Sequence, residues 1–505
     1  MTNGRKKNPN RGHHNKSLSV GCPANISENF LRHTLLVVLV SAAMFLPSLL
    51  HASPAEDERP SVSFPHPEWL DSTCEREQRV DSMVALYLSK EWHVNFSSNN
   101  RITVFKRGQE KFDDLFEAIR QARSSIHLEY FNFRNDSISQ QLFTLLAECA
   151  SRGVKVRALF DGFGNSSNNR PLKQKHLEML REHGIEIYEF DRVRFPWINH
   201  ALHRDHRKIV VIDGLVAYTG GMNVADYYIN GKAEFGEWRD IHARIEGDAV
   251  ADLQSVFLDF WNKVTKQNIH GTEYYPGERD ARRFFANLKA DTSVSSGGKV
   301  IGVVNRDVKE TPRIIHDTFL KIINNSKKQI QIINPYFTLC GHIKRALKRA
   351  CKRGVDVQIM VSEKSDIPIT PRIVEHNVRQ LMKAGAKVYF FQGGFHHSKI
   401  MMADSACSFI GSANLNSRSL SFDYECNLFI ADKATTAELQ KIFETDKEQR
   451  CFLLTPQRWK SFSRWHRLQG HLFRVLAPVE DEMRLLRQGR FWGLSIEKNQ
   501  DTYYA

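Results

Sequence analysis

The sequence predicts an α/β fold made of two pseudo-symmetric halves that share one site, preceded by a single apolar N-terminal segment. Three observations carry this prediction. First, two stretches match at a fixed spacing: 201 positions separate Gly153 in ASRGVKVRALFDG from Gly354 in CKRGVDVQIMVSE, and the same 201 separate Gly184 in REHGIEIYEF from Gly385 in MKAGAKVYFF. Second, each stretch alternates a periodic helix with a short apolar strand, KVRALF or VQIMVS, as strands buried on both faces of a parallel sheet do. Third, 505 residues are too many for one ordinary domain, and 41% hydrophobic with 25% charged residues argues against wholesale disorder and against a multi-span transporter.

Taken in order, the chain opens with residues 1–55, a basic leader and a membrane anchor or signal segment. Residues 1–33 carry six Lys and Arg against Glu28, a net +5. The uncharged run from Leu35 to Leu50 follows, LLVVLVSAAMFLPSLL; at helical rise it spans roughly 24 Å, marginal for a bilayer. A cleaved signal peptide cut near Ala52 or Ala55 and an uncleaved single anchor both fit, and both put the basic flank inside and the remainder outside. The expected location is therefore the cell (inner) membrane, with the catalytic part outside the cytoplasm. Residues 56–100 form a linker and lead-in, 101–290 the first half and 291–457 the second. Residues 458–505 form a basic C-terminal segment in which Trp459, Phe462, Trp465, Phe473 and Leu476 alternate with Arg464, Arg467 and Arg474. That segment fits a helix lying in an anionic headgroup layer and equally a helix capping the second half. The eight cysteines include no C-x-x-C pair and read as small buried apolar residues.

Each half carries His-x-Lys-x-x-x-x-Asp after its matched strands. HRKIVVID holds His206, Lys208 and Asp213, and HSKIMMAD holds His397, Lys399 and Asp404. Gly220 and Asn223 in GGMN match Gly411 and Asn414 in GSAN, 191 positions apart, as are the two histidines. Further on, Asp240 in WRDIHARI aligns with Glu425 in DYECNLFI. On a strand, residues two apart share a face, so His and Lys point together. Asp213-Gly214 is a hairpin signal. If the halves pack about a twofold axis, two imidazoles, two carboxylates, two ammonium groups and two amides meet in one pocket. Lys and Asn donors suit charge developing on a phosphodiester, and a carboxylate on one ring nitrogen frees the other for attack or proton transfer. Lys beside each His argues against a metal site, so neither metal nor cofactor is expected.

HRKIVVID with GGMN, and HSKIMMAD with GSANLNSRS, resemble the phospholipase D superfamily. FGEWRDIHARIEGDAV, FHHSKIMMADSACSFIGSANLNSRSLSFDYE and QIINPYF resemble its bacterial cardiolipin synthase branch, over about residues 100–465. The resemblance implies two phospholipase D-like halves and a metal-free phosphatidyltransferase working through a phosphohistidine. It implies a catalytic set of His206, Lys208, Asp213, His397, Lys399 and Asp404, with His206 as nucleophile and His397 as general acid/base. Pseudo-symmetry leaves the order of the two histidines open. Lys208, Lys399, Asn223 and Asn414 hold the phosphate in this reading. Asp240 orients His206 and Glu425 orients His397, while Asp213 and Asp404 give structural or electrostatic support. Three departures stand out: the family usually has two spans before the catalytic part where this chain has one, Asp423-Tyr424-Glu425 stands for Asn-Phe-Glu, and Asn416 stands where Asp is common.

The resemblance implies phosphatidylglycerol as substrate, a membrane as partner and no nucleic acid. The formal charge of +14 fits this. The leader takes +5 and the C-terminal segment +4, which leaves +5 over residues 34–457, a thin footprint for a nucleic-acid binder. Two alternatives stay open at this level: a hydrolase or metal-independent nuclease of the same superfamily, and a non-catalytic protein that binds anionic lipid.

Overall fold

Residues 79–192, 203–276, 298–367 and 370–461 are described by the computed structural model. The apolar run at 35–50, residues 193–202 and most of the C-terminal segment lie outside these residues. Among the described residues, no helix is long and apolar enough to cross a membrane.

The first half contributes β1 (Phe96–Phe105), β2 (Ser125–Tyr130), β3 (Lys155–Asp161), β4 (Ile185–Phe190), β5 (Lys208–Ile212), β6 (Val216–Gly220), β7 (Glu237–Arg239) and β8 (His242–Gly247). The second contributes β9 (Lys299–Arg306), β10 (Gln329–Ile333), β11 (Asp356–Ser362), β12 (Lys387–Phe391), β13 (Gly394–His396), β14 (Ile400–Ala403), β15 (Cys407–Gly411), β16 (Glu425–Ile430) and β17 (Cys451–Leu453). All except β7 and β13 join one fifteen-stranded sheet. Outward from its middle, one side runs β1-β8-β6-β5-β2-β3-β4 and the other β9-β16-β15-β14-β10-β11-β12, with β17 at the edge. The two sequences of strands are equivalent, so the repeat is a structural twofold about the antiparallel β1–β9 pair.

The repeated helices form for the reason their spacing predicts. In Gly341–Lys352, Ile343, Ala346, Leu347 and Ala350 fall on one face and are buried. Gly153 and Gly354 follow their helices at φ +91° and +86°, a left-handed turn that glycine adopts without a Cβ penalty. The strands β3 and β11 that come next are almost wholly buried and pair in parallel with β2 and β10.

The halves join edge to edge. At the seam Phe96 pairs with Gly302 and Asn100 with Lys299. Asn100 ties three segments: its amide donates to the Lys299 and Ser97 carbonyls at 3.0 Å, and its oxygen accepts from Ala249 N at 2.9 Å. One apolar cluster crosses the seam without a break, with Ile102, Val104, Ile209 and Leu253 from the first half against Ile301, Ile400, Leu428 and Phe443 from the second. Helices Ala249–Thr265 and Lys433–Arg450, which follow the equivalent strands β8 and β16, carry the buried residues Leu253 and Phe443 of this cluster. At the C-terminal end, Trp459 is buried in the core of the second half with the Arg379 guanidinium 4.8 Å from its ring, so this part of the basic segment caps the fold. The six described cysteines are free, and four of them are buried.

Candidate active site

The site forms where each half reaches into the other. The segment before β5 does not continue the strand. Asp205 bridges in parallel to Tyr424, Tyr424 N donates to Arg204 O at 2.8 Å, and His206 N donates to Tyr424 O at 3.0 Å. Glu425, the next residue and the first of β16, therefore lands beside His206. The imidazole Nδ1 is 3.0 and 3.1 Å from the two Glu425 oxygens. The other half repeats the device. Strands β13 and β7 pair in parallel, His396 opposite Arg239, and His397 N donates to Arg239 O at 2.6 Å. Asp240 follows, with its Oδ2 2.7 Å from His397 Nδ1.

The carboxylates are thus exchanged relative to the sequence expectation: Glu425 orients His206 and Asp240 orients His397. The cause is topological. Strands β8 and β16 lie next to the seam strands. The residues entering them therefore approach the neighbouring half more closely than their own motif histidine. The same pairings explain why β5 starts at Lys208 and β14 only at Ile400, whereas the motif reads as strand from its histidine onward.

Lys208 Nζ donates to His206 O at 2.5 Å. Lys399 Nζ donates to the His397 carbonyl and lies 2.8 Å from His397 Nδ1 and 3.8 Å from Asp240 Oδ2. A proton on His397 Nδ1 satisfies Asp240, so the ammonium turns to the carbonyl. Asn223 and Asn414 are buried, and each has an amide oxygen with no partner among the described residues. Buried amides are rarely left so.

Asp213 and Asp404 do not enter the pocket. Asp213 follows β5, five residues and roughly 16 Å of strand beyond Lys208. It accepts from the backbone N–H groups of Arg123, Ser124 and Ser125 at 2.7–2.9 Å. Asp404 does the same for Lys327, Lys328 and Gln329 at 2.8–2.9 Å. Each latches the start of the strand beside it, β2 or β10, rather than facing the two histidines.

Burial lowers the affinity of both imidazoles for a second proton. His206 is held below the usual histidine value by burial, with Lys208 adding to the effect and Glu425 opposing it. His397 lies well below, through burial and then Lys399. Burial brings Lys208 down to about 7 and Lys399 to about 8. Asp240 is pushed up to about 6 by burial. Burial also pushes Glu425 upward, but His206, Lys208 and the Ser412 hydroxyl outweigh it and hold the carboxyl below the usual range. The site's own groups are short of negative charge, so a phosphodiester anion stabilises its cationic forms.

Three groups escaped the sequence reading. Ser412 donates its hydroxyl to Glu425. Gly221 holds the corresponding place in the first half, where a Cβ would collide with the Asp240 carboxylate. The serine of GSAN against the glycine of GGMN was a visible signal of two unlike carboxylate environments. Trp238 and Tyr336 pack at 5.5 and 5.7 Å from the His397 ring, and Phe131 at 5.1 Å from that of His206. The aromatic walls carry no spacing signature.

A family model described as cardiolipin synthase, phospholipase D-like domain, matches residues 115–257 and 319–447, one stretch in each half. The chain belongs to this family. Cardiolipin synthase 2 of Staphylococcus epidermidis is 36% identical over 354 residues, which cover 69% of this chain and 68% of that one. The cardiolipin synthase of Staphylococcus aureus is 34% identical over 387 residues, 76% of this chain and 74% of that one. The phosphatidylserine synthase of Haemophilus influenzae has a similar fold, with a TM-score of 0.59 at 14% identity over 80% of this chain and 99% of that one. The crossed histidine–carboxylate pairs of this cardiolipin synthase family member lie within the region its relatives share: 206 and 240 in the first matched stretch, 397 and 425 in the second.

Proposed function

We propose that this chain is a phosphatidyltransferase that makes cardiolipin and glycerol from two molecules of phosphatidylglycerol. The observation that carries the reading is the pair of imidazoles, each fixed through Nδ1 by a carboxylate of the opposite half, with a lysine beside each. Nδ1–H donation to Glu425 leaves Nε2 of a neutral His206 free to attack phosphorus. The P–O bond to glycerol breaks as a P–N bond forms, and His397, protonated while the phosphodiester anion is bound, gives its proton to the leaving oxygen. The lysines and the amides of Asn223 and Asn414 stabilise the non-bridging oxygens. Neutral His397 then takes the proton of a hydroxyl on the second phosphatidylglycerol, whose oxygen displaces His206 from phosphorus. Water in place of that alcohol yields phosphatidic acid. No step calls on a metal, because the ammonium groups supply the positive charge.

The uncharged run at 35–50 supports placing the enzyme at the cell membrane, and its basic flank supports a catalytic part outside the cytoplasm. The test uses full-length protein with phosphatidylglycerol vesicles and mass spectrometry of the products. The parent forms cardiolipin and His206→Asn forms none. Cardiolipin made at the parent rate by that variant sinks the assignment, and plasmid nicking without lipid turnover by the parent establishes a nuclease instead.

A further inference from the structure

The pocket has two unlike flanks. Beyond His397 stands an aromatic wall: Trp238 is 5.5 Å from the His397 ring and Tyr227 is 4.5 Å from Trp238. Lys232 lies across this wall, its ammonium 4.6 Å from the centroids of both Tyr227 and Trp238. Arg134 also stands by Tyr227, with its guanidinium carbon 5.7 Å from the ring, and lies close enough to Lys232 to act on its charge.

These two cations are poorly neutralised. Among the described residues no carboxylate lies within ion-pair distance of Lys232; Asp366 and Glu234 act on it only from farther away. Asp366 already accepts from the Tyr336 hydroxyl at 2.7 Å. Arg134 has one distant ion pair, 3.8 Å to Asp136, and its buried Nε has no hydrogen-bond partner. The flank beside His206 is different: there Arg418 is paired with Asp423 at 2.9 Å. Two cations held on aromatic rings, one with no carboxylate within ion-pair distance and the other with a single one at 3.8 Å, form a site for an anion.

We infer that Lys232 and Arg134 hold the phosphate of the second, acceptor phospholipid. This rests on the phosphatidyltransferase reading above. Both the leaving glycerol and the entering alcohol occupy the His397 side, and only the entering lipid carries a second phosphate. The Lys232 ammonium is within about 10 Å of the His397 ring, given its distance to Trp238 and that of Trp238 to the ring. A three-carbon bridge of six bonds separates two phosphorus atoms by roughly 7 Å, so one phosphate at the histidines puts the other within reach of Lys232. The subsite thus favours a lipid alcohol over water or free glycerol as acceptor.

The test separates the two half-reactions in full-length enzyme on phosphatidylglycerol vesicles. Exchange of isotope-labelled glycerol into phosphatidylglycerol reads formation and reversal of the phosphohistidine, which needs no second phosphate. Cardiolipin formation reads transfer to the lipid acceptor. In Lys232→Met, which keeps the stem on the rings, and in Arg134→Ala, cardiolipin formation falls at least about tenfold more than glycerol exchange, the loss of one charge-assisted hydrogen bond. Lys232→Arg restores the parent ratio. If the two activities fall together, or neither changes, while the parent still makes cardiolipin, the subsite is overturned and the phosphatidyltransferase reading stands. A parent that neither exchanges glycerol nor makes cardiolipin overturns both.

Discussion

His206 and His397 owe their orientation to carboxylates on the opposite half, and their chemistry follows from how unlike those carboxylates are. Glu425 is held ionised by His206, Lys208 and Ser412, whereas burial pushes Asp240 up to about 6. Because the Glu425 charge raises the His206 pKa against the effect of burial, Glu425→Gln lowers it further and leaves His397 unmoved, as ring nitrogen NMR of selectively labelled protein reads. A response at His397 instead restores the uncrossed pairing. The pH profile is set by the same groups. Protonation of His206 removes the proposed nucleophile, so the acid limb of kcat/KM lies below the ordinary histidine value. In the free enzyme the alkaline limb follows loss of the proton from the general acid His397, which burial holds well below its ordinary value, and then deprotonation of Lys208 near 7 and Lys399 near 8. A bound phosphodiester raises both lysines, so the alkaline limb of kcat lies at higher pH than that of kcat/KM; coincident limbs argue that the lysines do not face the phosphate. Apart from Ser412, these residues were legible from the repeated motif. Their partners were not, because sequence offsets align equivalent positions within the repeat and carry no record of which half a side chain reaches.

Strand ends turn those residues into a site. The Asp213 carboxylate binds three successive N–H groups before and at the start of β2, and buried donors left without an acceptor are costly. Asp213→Ala lowers stability by about 2–3 kcal/mol, measured by denaturant unfolding. Its kcat stays within a few-fold of the parent, which a direct catalytic role for Asp213 does not allow. The β7–β13 pair presents the converse case. A Cβ on Gly394 meets the Glu237 carbonyl oxygen at 2.5 Å, so Gly394→Ala forces β13 from β7 and draws His397 away from Asp240. Misplacement of a catalytic group by about 1 Å costs on the order of 10²-fold in rate; the variant retains its melting temperature within a few degrees and loses kcat by that factor. The hairpin after β5 was legible as Asp-Gly, and both residues adopt positive φ, 54° and 66°. Strands of three residues such as β7 and β13 leave no periodic trace, and they form only because a partner strand arrives from the other half.

At the scale of the whole molecule the repeat, the buried parallel strands and the helix ends were all readable, while the junction of the halves was not. A period of 201 residues specifies equivalence but not the operator that relates the copies. The operator comes from β1 and β9, whose open edges are satisfied by each other, and from a core cluster that draws residues from both sides of the seam. The consequence is cooperative. Separate domains packed through a polar face unfold separately, but a continuous sheet with a shared apolar layer and two crossed histidine–carboxylate pairs leaves neither half a complete core or a complete site. Heating therefore produces one calorimetric transition for the catalytic region, and loss of turnover coincides with it. Asp404→Ala, which weakens only the latch at β10 in the second half, shifts that single transition downward by several degrees and carries the near-ultraviolet signal of first-half aromatics such as Trp238 and Trp261 with it. A variant that melts in two steps, with the first half unmoved, contradicts the shared-sheet account: the seam is then a contact between independent domains, and the crossed pairs form only after both have folded.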